Sequence, residues 1–295
     1  MKLGVTLIAG VLVSMMAHPA SSAQADWTRV DQALGRQGAA QPGGVHKFGF
    51  PRSDLHVTVQ GVAVKPALAL GSWVAFAPDS TGATVMGDLV LTDGEISPVM
   101  MRLIEGGMQI TALHNHLLHT SIPVFYMHVS GHGNPVALAQ TLHAALALSK
   151  TPLGPPPVVA PAVLGLDTAA LHRTLGRKGA ANGGVYQFSF PRAETISDGG
   201  MTVPPSMGTA TSINFQPTGG GKAAITGDFV LLGSEVNPVL RTLLENGIEV
   251  TALHSHMIDE SPHLYFMHFW ANADAQRLAQ GLRAALDRAN LKRGS

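Results

Sequence analysis

Cysteine is absent from the 295 residues, so no disulfide, thiolate nucleophile or thiolate metal ligand is available, and no cysteine can carry a lipid. Charge is scarce as well: 13% of residues are charged, and 19 basic side chains balance 19 acidic ones. No Lys/Arg stripe is present to neutralise a phosphate backbone, which argues against nucleic acid as a partner. Apolar residues reach 45%, which excludes a disordered chain, and the length suits two domains with separate cores. Beyond the first residues, no apolar stretch is long enough to span a bilayer.

The first residues themselves read as an export signal. Lys2 gives the positive end, Leu3 to Met16 the apolar run, and Ala23-Gln24-Ala25 a small-x-small cleavage site. A signal over 1–25 implies a periplasmic or secreted protein that keeps no stable membrane span after cleavage. His, Asp, Glu and Met remain as possible ligands.

The dominant feature is an internal repeat, visible when the chain is slid along itself by about 140 positions. Leu34-Gly35-Arg36 returns as Leu175-Gly176-Arg177, and Phe48-x-Phe50-Pro51-Arg52 as Phe188-x-Phe190-Pro191-Arg192. Gly87-Asp88 matches Gly227-Asp228, and Glu95-x-x-Pro98-Val99 matches Glu235-x-x-Pro238-Val239. Ala112-Leu113-His114-x-His116 returns as Ala252-Leu253-His254-x-His256, and Met127-His128 as Met267-His268. The halves run over 26–148 and 164–295. Between them, 149–163 contains Pro152, Pro155, Pro156, Pro157 and Pro161 and reads as a stiff extended linker.

Each half mixes helices and strands in irregular order, with two strands close together before a final helix. This predicts an α+β fold of two tandem homologous domains, each a mainly antiparallel sheet packed with helices. A helix from Val30 to Leu34 should end at Gly35, and strands are expected over Val45 to Phe50, Trp73 to Phe76 and Thr84 to Leu91. Ser97 as N-cap and Pro98 as first helical residue predict a helix that stops at Gly106 or Gly107, with Asn237, Pro238 and Gly247 in the same roles. Strands Met108 to Leu117 and Val124 to Val129 should follow, then a helix from Asn134-Pro135.

The candidate site is histidine-based. Alternation puts Ile248, Val250, Ala252, His254 and His256 on one strand face, and Leu264, Phe266 and His268 on one face of the next strand. A hairpin would set these faces side by side, and His114, His116 and His128 repeat the pattern in the first half. Three imidazoles over an apolar floor form a tripod with an open fourth position, so one divalent ion per half is expected. Zinc suits it best, and copper, iron or manganese would also fit. Seven other histidines, among them His46, His132 and His263, have no histidine counterpart in the other half.

Glu95 and Glu235, expected just before the helix N-cap, are candidate fourth ligands or general bases, or merely complement the positive helix end. Arg52 and Arg192 are candidate anion-binding residues or carboxylate partners. Asp88 and Asp228 read as bulge or turn formers, and Met127 and Met267 as core. Gly131 and Gly133 would give the first half a more flexible rim than Ala271 and Ala273 give the second.

At these residues the chain resembles the bacterial LppY/LpqO family, also described as domain of unknown function 1259. The resemblance rests on Met86-Gly87-Asp88, Glu95, Ala112-Leu113-His114-Asn115-His116 and Tyr126-Met127-His128-x-x-Gly131-x-Gly133, and covers nearly the whole chain after the signal. The second half departs from it with Ser255 for Asn115 and Ala271 and Ala273 for the glycines. The resemblance implies an envelope location and names no activity. Three readings follow: an exported metal-binding protein whose partner is a small molecule or an envelope protein; a metal-dependent hydrolase or lyase using metal-bound water; and a structural envelope protein in which the histidines close a polar network without metal.

Overall fold

The computed structural model describes residues 27–155 and 164–292, so the expected signal over 1–25 lies outside the described residues. The first half runs α1 (Thr28–Leu34), β1 (Ala39–Ala40), β2 (His46–Pro51), β3 (Thr58–Val59), β4 (Val62–Ala63), α2 (Pro66–Ala69), β5 (Gly71–Pro78), β6 (Ala83–Thr92), α3 (Asp93–Glu105), β7 (Gln109–His114), β8 (Val124–Gly133) and α4 (Pro135–Leu146). The second half repeats this as α5 (Thr168–Leu175), β9 (Ala180–Asn182), β10 (Val185–Pro191), β11 (Ser197–Asp198), β12 (Met201–Thr202), β13 (Ala210–Gly219), β14 (Lys222–Leu231), α6 (Gly233–Glu245), β15 (Glu249–His254), β16 (Tyr265–Asp274) and α7 (Ala275–Leu286).

Each half builds a six-stranded sheet, in the orders β1-β2-β5-β6-β8-β7 and β15-β16-β14-β13-β10-β9. Every pairing within these sheets is antiparallel. The fold is therefore α+β in two tandem domains. One face of each sheet carries its helices. In the first half Phe48, Phe50, Val74, Phe76, Leu89, Leu91, Met127 and Val129 meet Val99 and Leu103 of α3 and Leu138, Leu142 and Leu146 of α4. Strand residues of alternate parity leave the opposite face free, and there the two halves meet. Val90, Leu117, Val124 and Tyr126 share a core with Val185, Ala224 and Trp270, while Val45, Ala75 and Met86 share another with Val230, Leu264 and Phe266. The layers are thus helices, sheet, sheet, helices, with two sheet faces closed on each other.

Several boundaries follow directly from the residues. Gly35 ends α1 in the left-handed conformation (φ 71°), which a side chain would strain. The Asn134 side chain accepts hydrogen bonds from the amides of Val136 and Ala137 and so starts α4.

The central helices begin earlier than Ser97 and Asn237 suggested. α3 starts at Asp93, with Thr92 as N-cap, and Pro98 lies inside the helix, as does Pro238 in α6. Pro98 removes one intrahelical hydrogen bond. The start is held instead by Glu95, the third helical residue, whose Oε2 accepts the Thr92 amide at 2.8 Å; Glu235 does the same for the Leu232 amide. Residues 149–155 of the expected linker lie against the first half: the Lys150 amide donates to Glu95 Oε1, and the Pro152 carbonyl accepts from Arg36.

Glycine at 87 and 227 is dictated by close strand approach. A Cβ at 227 would stand 2.0 Å from the Ser212 carbonyl oxygen, and one at 87 would stand 2.8 Å from that of Trp73. Gly227→Ala should therefore destabilise the protein by about 1–3 kcal/mol, measured as a shift in the urea midpoint. Gly49→Ala, where nothing lies within 4 Å, should be close to neutral in the same assay.

Candidate metal centre

The six repeated histidines do not form two separate tripods; the closing of one sheet on the other gathers them into one cluster. His114 stacks on His254 with ring centroids 3.5 Å apart, His116 on His268 at 3.7 Å, and His128 on His256 at 3.6 Å. These contacts map onto themselves when the halves are exchanged, the signature of a twofold-like interface in which residue i meets j and j meets i. The tripods expected one per half are thus not separate groups of side chains: all six imidazoles lie in one cluster drawn from both halves.

Strand geometry explains the placement. Asp88 pairs with His128 and Asp228 with His268 across neighbouring strands, and directly opposed residues share a sheet face. Ala112 and Ala252 lie opposite the same histidines from the edge strands. The uninterrupted alternation expected over Ile248–His256 fails at a bulge. Val250 pairs with Phe269 but Ala252 with His268, so Thr251 is the extra residue, and Ile248 and Val250 turn toward the helices while Ala252 and His254 turn toward the other half. His256 lies just past the end of β15. The apolar floor is present: Tyr126 stacks on His116 at 3.4 Å and Phe266 on His256 at 3.5 Å.

Three donor sets lie close enough to hold an ion, with ligand atoms within 4.8 Å of one another: His114, His116, His128 and His256; His114, His116, His254 and His268; and Asp228, His256 and His268. Each set draws on the second half, and the first two combine both halves. The Nε2 atoms of His254 and His256 are 2.9 Å apart, within hydrogen-bond distance of each other. His268 donates from Nδ1 to the Gly227 carbonyl at 2.9 Å, which fixes its tautomer and leaves Nε2 with a free lone pair. Nε2 of His114, His116, His128 and His268, and Oδ1 of Asp88 and Asp228, are buried with no hydrogen-bond partner in the protein.

Burial keeps the imidazoles neutral. It pushes His114 down to about 4 and His254 to about 3, and His116, His128, His256 and His268 lie well below the ordinary histidine value because burial is reinforced by neighbouring histidines. Burial raises Asp88 to about 8 against the opposing attraction of Lys47, and raises Asp228 in the same direction with help from Asp88.

The carboxylates facing the histidines are thus Asp88 and Asp228. Asp88 Oδ1 stands 3.8 Å from His128 Nε2, and Asp228 Oδ1 3.8 Å from His268 Nε2. Both sit inside a strand, as expected, but the pairing is regular at each, which corrects their reading as bulge or turn formers. The available signal was an acidic residue repeated inside an otherwise apolar strand, where an unpaired charge is costly. Met127 and Met267 are core, as expected.

Glu95 and Glu235 are engaged elsewhere. Arg52, fully buried, donates to Glu95 Oε2 at 2.8 Å, to Asp54 and to the Val90 carbonyl. Arg192 does the same with Glu235, Glu194 and the Val230 carbonyl. Neither glutamate is placed as a ligand or base, and neither arginine faces an external anion: the four form two internal clamps fixing a helix start to a strand. Gly131 and Gly133 belong to β8 rather than to a flexible rim, and Gly131 faces Leu138 and Met108 on the helix side.

Residues 28–148 and 169–288 each match the family described as Domain of Unknown Function (DUF1259). The chain belongs to this family. Its two DUF1259 copies account for the duplication, and the shared cluster is built from equivalent residues of both. No curated protein matches the chain. Two solved structures give weak likenesses. A trimeric bacterial microcompartment shell protein, PduB, is 15% identical over 85% of this chain and 89% of its own, with a TM-score of 0.21. EtuB from Clostridium kluyveri is 8% identical over 85% and 88%, also with a TM-score of 0.21. Likenesses at that score bear on neither the fold nor the function of this DUF1259 chain.

Replacing one partner of a buried clamp strands the other. Arg52→Met should cost about 3–5 kcal/mol in chemical denaturation at neutral pH. Hydrogen bonds from Arg52, Thr92 and Lys150 outweigh burial and hold Glu95 below its ordinary value of 4.5. Its stabilising contribution is therefore complete above that value and is lost as pH falls through the lower folded value. Denaturation midpoints followed from about pH 7 to about pH 3 should fall less steeply in Arg52→Met than in the parent.

Proposed function

We propose that this is an exported metal-binding protein whose ion is held jointly by its two DUF1259 halves, with His114, His116, His128, His254, His256 and His268 as the donor pool. The observation that carries this reading is the convergence of orphaned buried donors. Four imidazole nitrogens and two carboxylate oxygens point into one region without a protein partner. Each such group costs about 1–3 kcal/mol when left unsatisfied, and a divalent cation would satisfy several at once. Neutral imidazoles need release no proton to bind, whereas Asp88 and Asp228, whose protonated forms burial favours, would each release one on joining the ion.

Zinc is the first assignment, because imidazole with carboxylate support suits a borderline ion; copper, iron and manganese are the competing ones. Export rests on Lys2, the apolar run from Leu3 to Met16 and Ala23-Gln24-Ala25. Among the described residues no helix is long and apolar enough to cross a membrane. The proposed partner is the small molecule or envelope protein that delivers or receives the ion.

Titration of metal-free protein with zinc, followed by calorimetry and elemental analysis, should give one shared site. His114→Ala and His254→Ala should each weaken binding at least about tenfold, and the double variant should lose less than the sum of the two, because both act on one centre. Independent, additive losses would restore two separate sites, and a parent protein that retains no ion would overturn the reading. Saturating zinc at about 100 times its Kd should add about 2.7 kcal/mol to the folded state, seen as a raised Tm.

A further inference from the structure

The two halves match at the histidines but not beside them. A cavity of about 30 Å³ at the seam between the halves reaches His128 and His256 and is lined as well by Trp73, Met86, Ser130, Met207 and Met257. That volume accommodates about one or two water-sized groups. The matching approach, beside His268 and His116, is built from different residues. Trp73 pairs with Asp88 where Ser212 pairs with Asp228, and Ser130 pairs with Met86 where Trp270 pairs with Thr226. The small Ser130 on the first side is thus replaced by Trp270 on the second. Trp270 lies two residues beyond His268 on the same face of β16, is 2% exposed, and packs with Leu117, Val90 and the Tyr126 that stacks on His116.

The open side is held in shape from both halves. Lys47 extends from β2 with its Nζ 4.0 Å from the Trp73 ring centroid and donates to the Ser206 carbonyl at 2.8 Å, tying one wall of the cavity to the segment that carries Met207. Its counterpart in the second half is Gln187, which donates instead to the Ala67 carbonyl.

We propose that the histidine centre takes a water-sized or diatomic ligand through the mouth at His128 and His256, and that Trp270 closes the equivalent approach at His116 and His268. This rests on the metal-binding reading above. The size of the cavity sets the ligand class, and its thioether and indole walls favour a neutral diatomic over a larger polar substrate. Duplication supplied two equivalent faces to the centre, and divergence at 130/270 and 73/212 left one of them passable.

The test uses the whole protein loaded with cuprous ion, with copper content measured by elemental analysis and carbon monoxide as the probe, read as the infrared C–O stretch. Parent protein should give one carbonyl band. Ser130→Trp, which copies the closed side onto the open one, should keep its copper and lose at least about nine-tenths of the band. Trp270→Ser should keep copper and carbon monoxide uptake, with a second band or faster rebinding after photolysis. If Ser130→Trp does not fold, Ser130→Leu serves with the same expected loss. Copper-replete Ser130→Trp or Ser130→Leu that binds carbon monoxide like the parent would overturn the proposal. So would copper-replete parent protein with no carbonyl band. A parent that retains no ion of any kind overturns the metal-binding reading itself, an outcome told apart by the elemental analysis alone.

Discussion

The closure of two sheet faces on one another is the contact on which the rest of the molecule depends. Each sheet has one apolar face covered by its own helices and a second face that mixes Val, Leu and aromatic residues with histidine and aspartate. Left open, that second face would expose a broad apolar surface; covered by an ordinary hydrophobic partner, it would trap polar groups without hydrogen bonds. Covering it with its own duplicate places apolar residues against apolar residues at two flanking cores and imidazoles against imidazoles between them. The same geometry that stabilises the pair of domains creates the concentration of lone pairs.

The clamps made by Arg52 with Glu95 and by Arg192 with Glu235 serve this arrangement from a distance. Each ties the strand bearing Val90 or Val230 to the start of the helix behind it. Buried arginine is tolerable because its donors meet carboxylates and a carbonyl in a planar fork, and truncating either member leaves a charge without its partner.

The two halves keep the same residues at the histidine cluster and diverge beside it. The histidines, the aspartates and the clamps recur in both halves, since each contributes to the common cluster or to the fold. Lys47 against Gln187, Trp73 against Ser212 and Ser130 against Trp270 differ because they line opposite sides of the seam.

The sequence by itself determined the duplication, the α+β class, the order of the longer strands and helices, the helix stops at Gly35 and Gly106, and the recurrence of the six histidines, because these depend on local rules: capping, alternation and self-similarity. It misplaced the start of α3, since a proline is an equally good signal at a first turn and a poor one inside a helix, and only the carboxylate bonds of Glu95 decide between them. It also missed the bulge at Thr251 and the inward aim of Asp88 and Asp228. Tertiary structure alone decided that Glu95 and Arg52 neutralise each other and that the two histidine sets become one. Both outcomes depend on which surfaces meet across a separation of about forty to one hundred and fifty residues, and a side chain's neighbours at that range are set by packing rather than by its place in the chain.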